Sequence, residues 1–256
     1  MKTYVVGKRE AVSIVLYLLI AILVSVLVPQ GIDAVSTAAM ERKIPIYCVE
    51  TDKKQIALTF DAAWGNSDTD EILKILDQNS AKATFFFTGE WVSKYPDDVR
   101  KIYAAGHTLA NHSDKHGHIE KMSAEQLRAD ITACNDKIKA LTGYTPILYR
   151  GPYGEYNNTL ITEVEGLKMY TVQWNIDSRD WQGKTVEQMV KNVTENAKSG
   201  SIILFHNDLE NTPAAVDEIL KKLTKEDYSF VTADKLIYKE NYYIDSAGKQ
   251  HKKPPA

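Results

Sequence analysis

The chain has 256 residues, enough for one large α/β domain that buries its core without disulfide or metal staples. It is 44% hydrophobic and 25% charged with a formal net charge of −3, so it lacks the basic excess that nucleic-acid binding requires. Cys48 and Cys134 are too few for a disulfide framework and lack metal-site spacing, so they read as two free thiols.

Residues 11–28 carry no charge, follow Lys2, Lys8 and Arg9, and stop at Pro29. As a helix this run rises about 27 Å, close to the hydrocarbon thickness of a bilayer. A secretory signal has a shorter apolar core, of roughly 7–15 residues. The stretch Ala34–Ala39 nevertheless offers a small-residue cleavage site. The expected order is a cytoplasmic basic end (1–10), a transmembrane signal-anchor or signal peptide (11–29), then a linker and lead-in (30–53). The remainder is expected outside the cytoplasm, tethered to the cell membrane by a single pass or secreted if the segment is cleaved.

From residue 55 short β-rich runs alternate with amphipathic helical stretches. The strands expected are Ile56–Phe60, Ala83–Thr88, Thr108–Asn111, Ile147–Arg150, Met169–Trp174, Ser201–Phe205 and Phe230–Thr232. Helices are expected over Asp68–Gln78, Ser123–Thr142, Thr185–Ser199 and Pro213–Thr224. Ser123 and Gln126 form a capping box, and Gly143 ends the same helix. This alternation predicts a parallel β/α architecture, barrel-like rather than an open sheet. Tyr238–Ala256 reads as a surface extension.

In such a fold the working residues collect where strands end. His112 and His116, four apart, would share one face at helical spacing and can hold a metal ion together. Strand ends also carry Asp61, Arg150, Asp177 with Asp180 and Trp181, and His206. A charge closing an apolar strand, as Asp61 does, is costly unless paired, ligated or catalytic. Taken singly, each has a duller role as cap, surface ion pair or core residue. Together on one rim they point to a site.

Five segments in this order resemble the polysaccharide deacetylase family, the NodB-homology domain of carbohydrate esterase family 4. They are Thr59-Phe60-Asp61, His112–His116, Arg150–Gly154, Asp177–Trp181 and Leu204–His206. The resemblance covers residues 54–235, with 236–256 as a C-terminal extension. The lead-in from Ile44 and the variant Asp61-Ala-Ala-Trp64 look most like the sporulation-associated, PdaB-like branch. The resemblance implies a distorted (β/α)7 barrel of the NodB-homology type, here behind an N-terminal transmembrane helix.

It also implies metal-assisted hydrolysis of N-acetyl groups from amino-sugar residues of cell-wall or spore-wall polysaccharide, by a hydrolase of linear amides. A divalent metal, Zn²⁺ first and Co²⁺ next, would sit on His112 and His116. Asp61 would be the general base and His206 the general acid, with the backbone N–H of Tyr153 facing the oxyanion. Arg150 would hold Asp61, Asp180 would orient His206, and Trp181, Leu204 and Pro152 would wall the substrate pocket. The protein would act as a monomer on wall glycan.

One departure stands out. Where the family carries a second aspartate that completes the metal triad, this chain has Ala62. Asp61 itself, a nearby acid such as Asp68 or Asp114, or water would have to take that place. The alternatives to a deacetylase are a catalytically impaired glycan-binding pseudoenzyme and an O-acetyl esterase of the same fold.

Overall fold

The structure, a computed structural model, describes residues 7–9, 12–13, 15–23 and 42–254. It divides into two compact units, 1–42 and 43–256. In the first, residues 15–23 are helical with apolar side chains such as Leu16 and Leu19 exposed. The expected anchor at 11–29 lies partly outside the described residues, and among those described no helix is long and apolar enough to cross a membrane.

The second unit opens with β1 (Cys48–Val49) and β2 (Gln55–Ala62), followed by α1 (Thr69–Gln78) and β3 (Ala83–Phe87). Two short helices, α2 (Gly89–Lys94) and α3 (Pro96–Ala104), lead to β4 (Thr108–Asn111) and the long α4 (Ala124–Thr142). Then come β5 (Leu148–Tyr149), α5 (Asn158–Gly166), β6 (Tyr170–Thr171), β7 (Ile176–Asp177) and α6 (Val186–Asn196). β8 (Ile202–His206), α7 (Thr212–Lys225), β9 (Ser229–Phe230) and α8 (Ala233–Leu236) complete the main body.

Seven parallel strands run in the order β6-β5-β4-β3-β2-β8-β7, and β9 pairs with the start of β2. β2 is buried along nearly its whole length, as a parallel strand covered on both faces must be. Its period of two sorts the layers. Ile56, Leu58, Phe60 and Ala62 enter the large cluster shared with the helices, while Ala57 joins a second cluster with Phe86, Leu148 and Val172. Thr59 and Asp61 fall on the Ala57 face, away from the helices.

The expected barrel does not close. No pairing joins β6 to β7 among the described residues, so the sheet is a half-barrel. Only Val172–Asn175 separates the two strands, too few residues for the crossover that neighbouring parallel strands need. β6 and β7 are instead successive segments of one extended stretch, the first pairing with β5 and the second with β8. The single strand expected at Met169–Trp174 is thus only the two residues of β6.

Helix signals served better. α4 has the full Ser123/Gln126 capping box and ends at Gly143 in the left-handed region, φ 74°. The stretch expected as a surface extension includes a hairpin, β10 (Tyr242–Ile244) and β11 (Lys249–Lys252), whose second strand pairs in parallel with β1. Cys48 and Cys134 are both free thiols.

Candidate active site

Asp61 and Arg150 form the floor. Arg150 is fully buried and its Nη1 lies 2.6 Å from Asp61 Oδ1. The guanidinium also donates to Thr59 Oγ1 (3.0 Å), Val172 O (3.2 Å) and Gln173 O (3.0 Å), and it lies over the Phe86 ring at 4.0 Å. This full set of partners makes a buried cation tolerable. Burial alone would raise the pKa of Asp61, but the charge and hydrogen bond of Arg150, aided by the neighbouring histidines, outweigh it and hold it below 3.8. Asp61 is therefore an ionised carboxylate.

The histidine pair stands on a loop, not on a helix face. Asn111 closes β4 and its Oδ1 accepts from the Ser113 N–H at 2.8 Å; Ser113 Oγ then accepts from the His116 N–H at 3.2 Å. Ser113 and His116 both adopt positive φ, 74° and 54°, and this reversal brings the imidazole rings to 5.1 Å. His112 Nδ1 donates to Arg150 O at 2.8 Å, which leaves Nε2 without a proton, 3.6 Å from Asp61 Oδ2. Burial lowers the pKa of His112; burial and the His112 charge lower that of His116 to about 4.

Two neutral imidazoles with open lone pairs fit a divalent cation. The third ligand is not supplied. Among the described residues no three His, Cys, Asp or Glu side chains group closely enough to hold one ion, and Asp61 gives Oδ1 to Arg150 while its Oδ2 faces His112. Ala62 packs in the apolar cluster beneath the helices. Asp68 is spent on the Asp208 N–H at 2.8 Å, and Asp114 on Lys137 Nζ at 2.6 Å.

His206 faces Asp61 across adjacent strands, for the β2–β8 register pairs the two residues directly. Its Nδ1 donates to Asp180 Oδ1 at 2.8 Å and its backbone N–H donates to Oδ2 at 2.6 Å, while Thr212 Oγ1 donates to the same Oδ2 at 3.1 Å. Burial works against a charge on His206, but the hydrogen bond and charge of Asp180, with Asp61 and Asp177, overcome it and raise the pKa above 6.5. An ionised carboxylate thus stands beside a histidine whose proton is held more tightly than a free imidazole's.

Around this floor lies a cavity of about 310 Å³. Tyr153, at φ 59°, and Gly154, at φ 70°, form one wall; a Cβ on Gly154 would come within 3.1 Å of Trp174. Leu204 and Trp181 line it as expected, whereas Pro152 is buried beside the turn and Arg150 and Asp180 lie behind the carboxylate and the histidine they hold. Trp64 and Trp174 are lining residues that the reading of the sequence missed. Trp64 is 60% exposed and sits 5.6 Å from His116 and 6.4 Å from His206, ring to ring. Its one signal was a large apolar residue three positions after a strand-end aspartate, just beyond the strand.

The family model for polysaccharide deacetylase matches residues 49–172, which holds Asp61, both histidines and Arg150. A peptidoglycan-N-acetylglucosamine deacetylase of Bacillus cereus is 36% identical over 196 residues, 74% of this chain and 91% of that protein. The chain belongs to the polysaccharide deacetylase family. The peptidoglycan-N-acetylmuramic acid deacetylase PdaC of Bacillus subtilis is another member, 34% identical over 188 residues. There the alignment takes in 73% of this chain but only 40% of PdaC. Among solved members, a CE4 family pseudoenzyme from Bacillus anthracis superposes with a TM-score of 0.73 at 26% identity, over 82% of this chain and 73% of its own.

Proposed function

We propose that this protein hydrolyses N-acetyl groups on amino-sugar residues of wall polysaccharide. The observation that carries the proposal is the placement of Asp61, held by Arg150, directly across adjacent strands from His206, held by Asp180, at the floor of one cavity. Asp61 takes a proton from the attacking water, the Tyr153 N–H faces the developing oxyanion, and His206 protonates the departing amine. Trp181 and Leu204 enclose the acetyl methyl. His112 and His116 would hold a divalent cation such as Zn²⁺, which when bound polarises a carbonyl and acidifies water.

The names of the relatives support peptidoglycan as the polymer, and the PdaB-like segments support the spore wall. We place the catalytic unit at 54–235. The charge-free run at 11–28, with exposed apolar helical residues at 15–23, supports a membrane tether that leaves this unit outside.

The test is acetate release from N-acetylated amino-sugar oligomers by the full chain, with and without added Zn²⁺ or Co²⁺. Asp61→Asn and His206→Ala are each expected to lower the rate by about 10²–10⁴-fold. A second reading, a glycan-binding pseudoenzyme, is favoured by Ala62 and the missing third ligand. Oligomer binding without acetate release, unchanged by those two variants, would establish it instead.

A further inference from the structure

A second groove, of about 540 Å³, adjoins the cavity and shares Trp174 and Asp177 with it as a common wall. Its far side is built from Asn192 and Asn196 on α6 together with Arg179 and Lys198. A third, smaller groove, about 190 Å³, continues from it, sharing Arg179 and Asn192 and adding Lys184. Three cations thus line two adjoining grooves on a chain whose net charge is −3.

Among the described residues none of the three takes part in an ion pair. The one carboxylate in the grooves, Asp177, is already engaged: Oδ1 accepts from the Arg179 N–H at 2.7 Å and Oδ2 from Trp181 Nε1 at 3.4 Å. Asn192 Nδ2 donates to Asp177 O at 2.7 Å, which ties α6 to β7 and fixes the groove floor. Arg179 is exposed at φ 62°, a conformation costly for an arginine, and it turns the chain between Asp177, which lines the cavity, and Asp180, which holds His206. Unpaired cations beside a sugar-sized pocket are a recognition device for an anion attached to the same polymer.

We infer that this groove receives a carboxylate-bearing substituent of the sugar next to the one deacetylated, with Arg179 and Lys198 as its counter-charges and Lys184 extending the field. The inference rests on the proposed function for the location of the reacting sugar. It makes the substrate class an acidic glycan carrying carboxylate ethers or peptide carboxylates, rather than a neutral chitin-like polymer.

The experiment compares three oligomers of equal length on the full chain: neutral N-acetylated amino sugar, the same with carboxylate ethers on alternate sugars, and the same with phosphate monoesters there. Wild type is expected to favour the carboxylated oligomer by about tenfold, chiefly through KM, with the preference shrinking at high salt. In Arg179→Asn/Lys198→Gln the preference should fall to about onefold; asparagine suits the left-handed backbone, and Arg179→Lys, which keeps the charge, should retain part of it. Equal use of neutral and carboxylated oligomers by wild type, a preference for phosphate alone, or a preference that survives the double variant would overturn the inference. If no oligomer releases acetate, the deacetylase reading fails by itself. Calorimetric affinity for the same three oligomers then decides the groove, through the same ratios in wild type and variant.

Discussion

The chemistry of the floor depends on charges held in unequal environments. Asp61 loses its proton more easily than a free carboxylate because Arg150 is locked against it, while His206 keeps its proton because Asp180 receives Nδ1–H. Activity should therefore run on a plateau and fall on the alkaline side, as His206 deprotonates above 6.5. Asp180→Asn removes the charge that raises His206, so that limb should move to lower pH, with kcat/KM reduced by about 10²–10⁴-fold. A pH profile of kcat/KM checks it, and an unmoved limb would contradict the assignment.

Stability has its own pH dependence at the residue scale. His107, His112 and His116 have depressed pKa values, burial being the first cause in each, and those of His107 and His116 are about 4. Between about 4 and 6.5 the unfolded chain binds protons at these sites that the folded one refuses. Unfolding free energy should thus decline as pH falls through that window. Asp61 contributes stability that is present above 3.8 and is lost only at lower pH, as the folded carboxylate takes up its proton. Urea midpoints between pH 7 and 4 should show the histidine-dependent decline, and His116→Gln should flatten it.

Elements differ in what they tolerate. The Ser123 capping box lies at the start of α4 and touches none of the site residues. Ser123→Ala should cost about 1 kcal/mol in chemical denaturation and leave kcat unchanged. Gly154→Ala is the opposite case. It places a Cβ at φ 70° and 3.1 Å from Trp174, on the turn that carries the Tyr153 N–H, so activity should fall more than stability does. Equal loss of both would argue that the turn is only structural. The left-handed residues Ser113, His116 and Tyr153 cluster at this site, where side-chain and backbone bonds hold an uncommon geometry in place.

Over the whole molecule the C-terminal hairpin closes on the beginning of the domain. Val49 pairs with Gln250, and the buried Gln250 amide accepts from the Tyr238 N–H at 2.8 Å and donates to Tyr238 O at 2.7 Å. Gln250→Ala strands both backbone groups and should lower unfolding stability by about 1–3 kcal/mol without changing activity per folded molecule. A loss of activity at unchanged stability would show that the hairpin reaches the site in some other way.

The main strands, the long capped helices and most of the polar residues gathered at the cavity were legible in the sequence, because apolar runs of parallel strands end abruptly in charges such as Asp61, Arg150 and His206. Local cues also marked α4 at both ends. Three matters belonged to the tertiary structure alone. The stretch from Tyr170 to Asp177 divides into two short strands, β6 pairing with β5 and β7 with β8, a division set by the partners it meets and not by its own residues. The histidine pair meets through two left-handed residues, which a four-residue spacing cannot distinguish from a helical turn. The cavity takes Trp64 and Trp174 as walls and a cation-lined groove as neighbour, since lining is decided by proximity between segments far apart in the chain. Residue types determine which chemistry is available; long-range packing decides which groups meet to perform it.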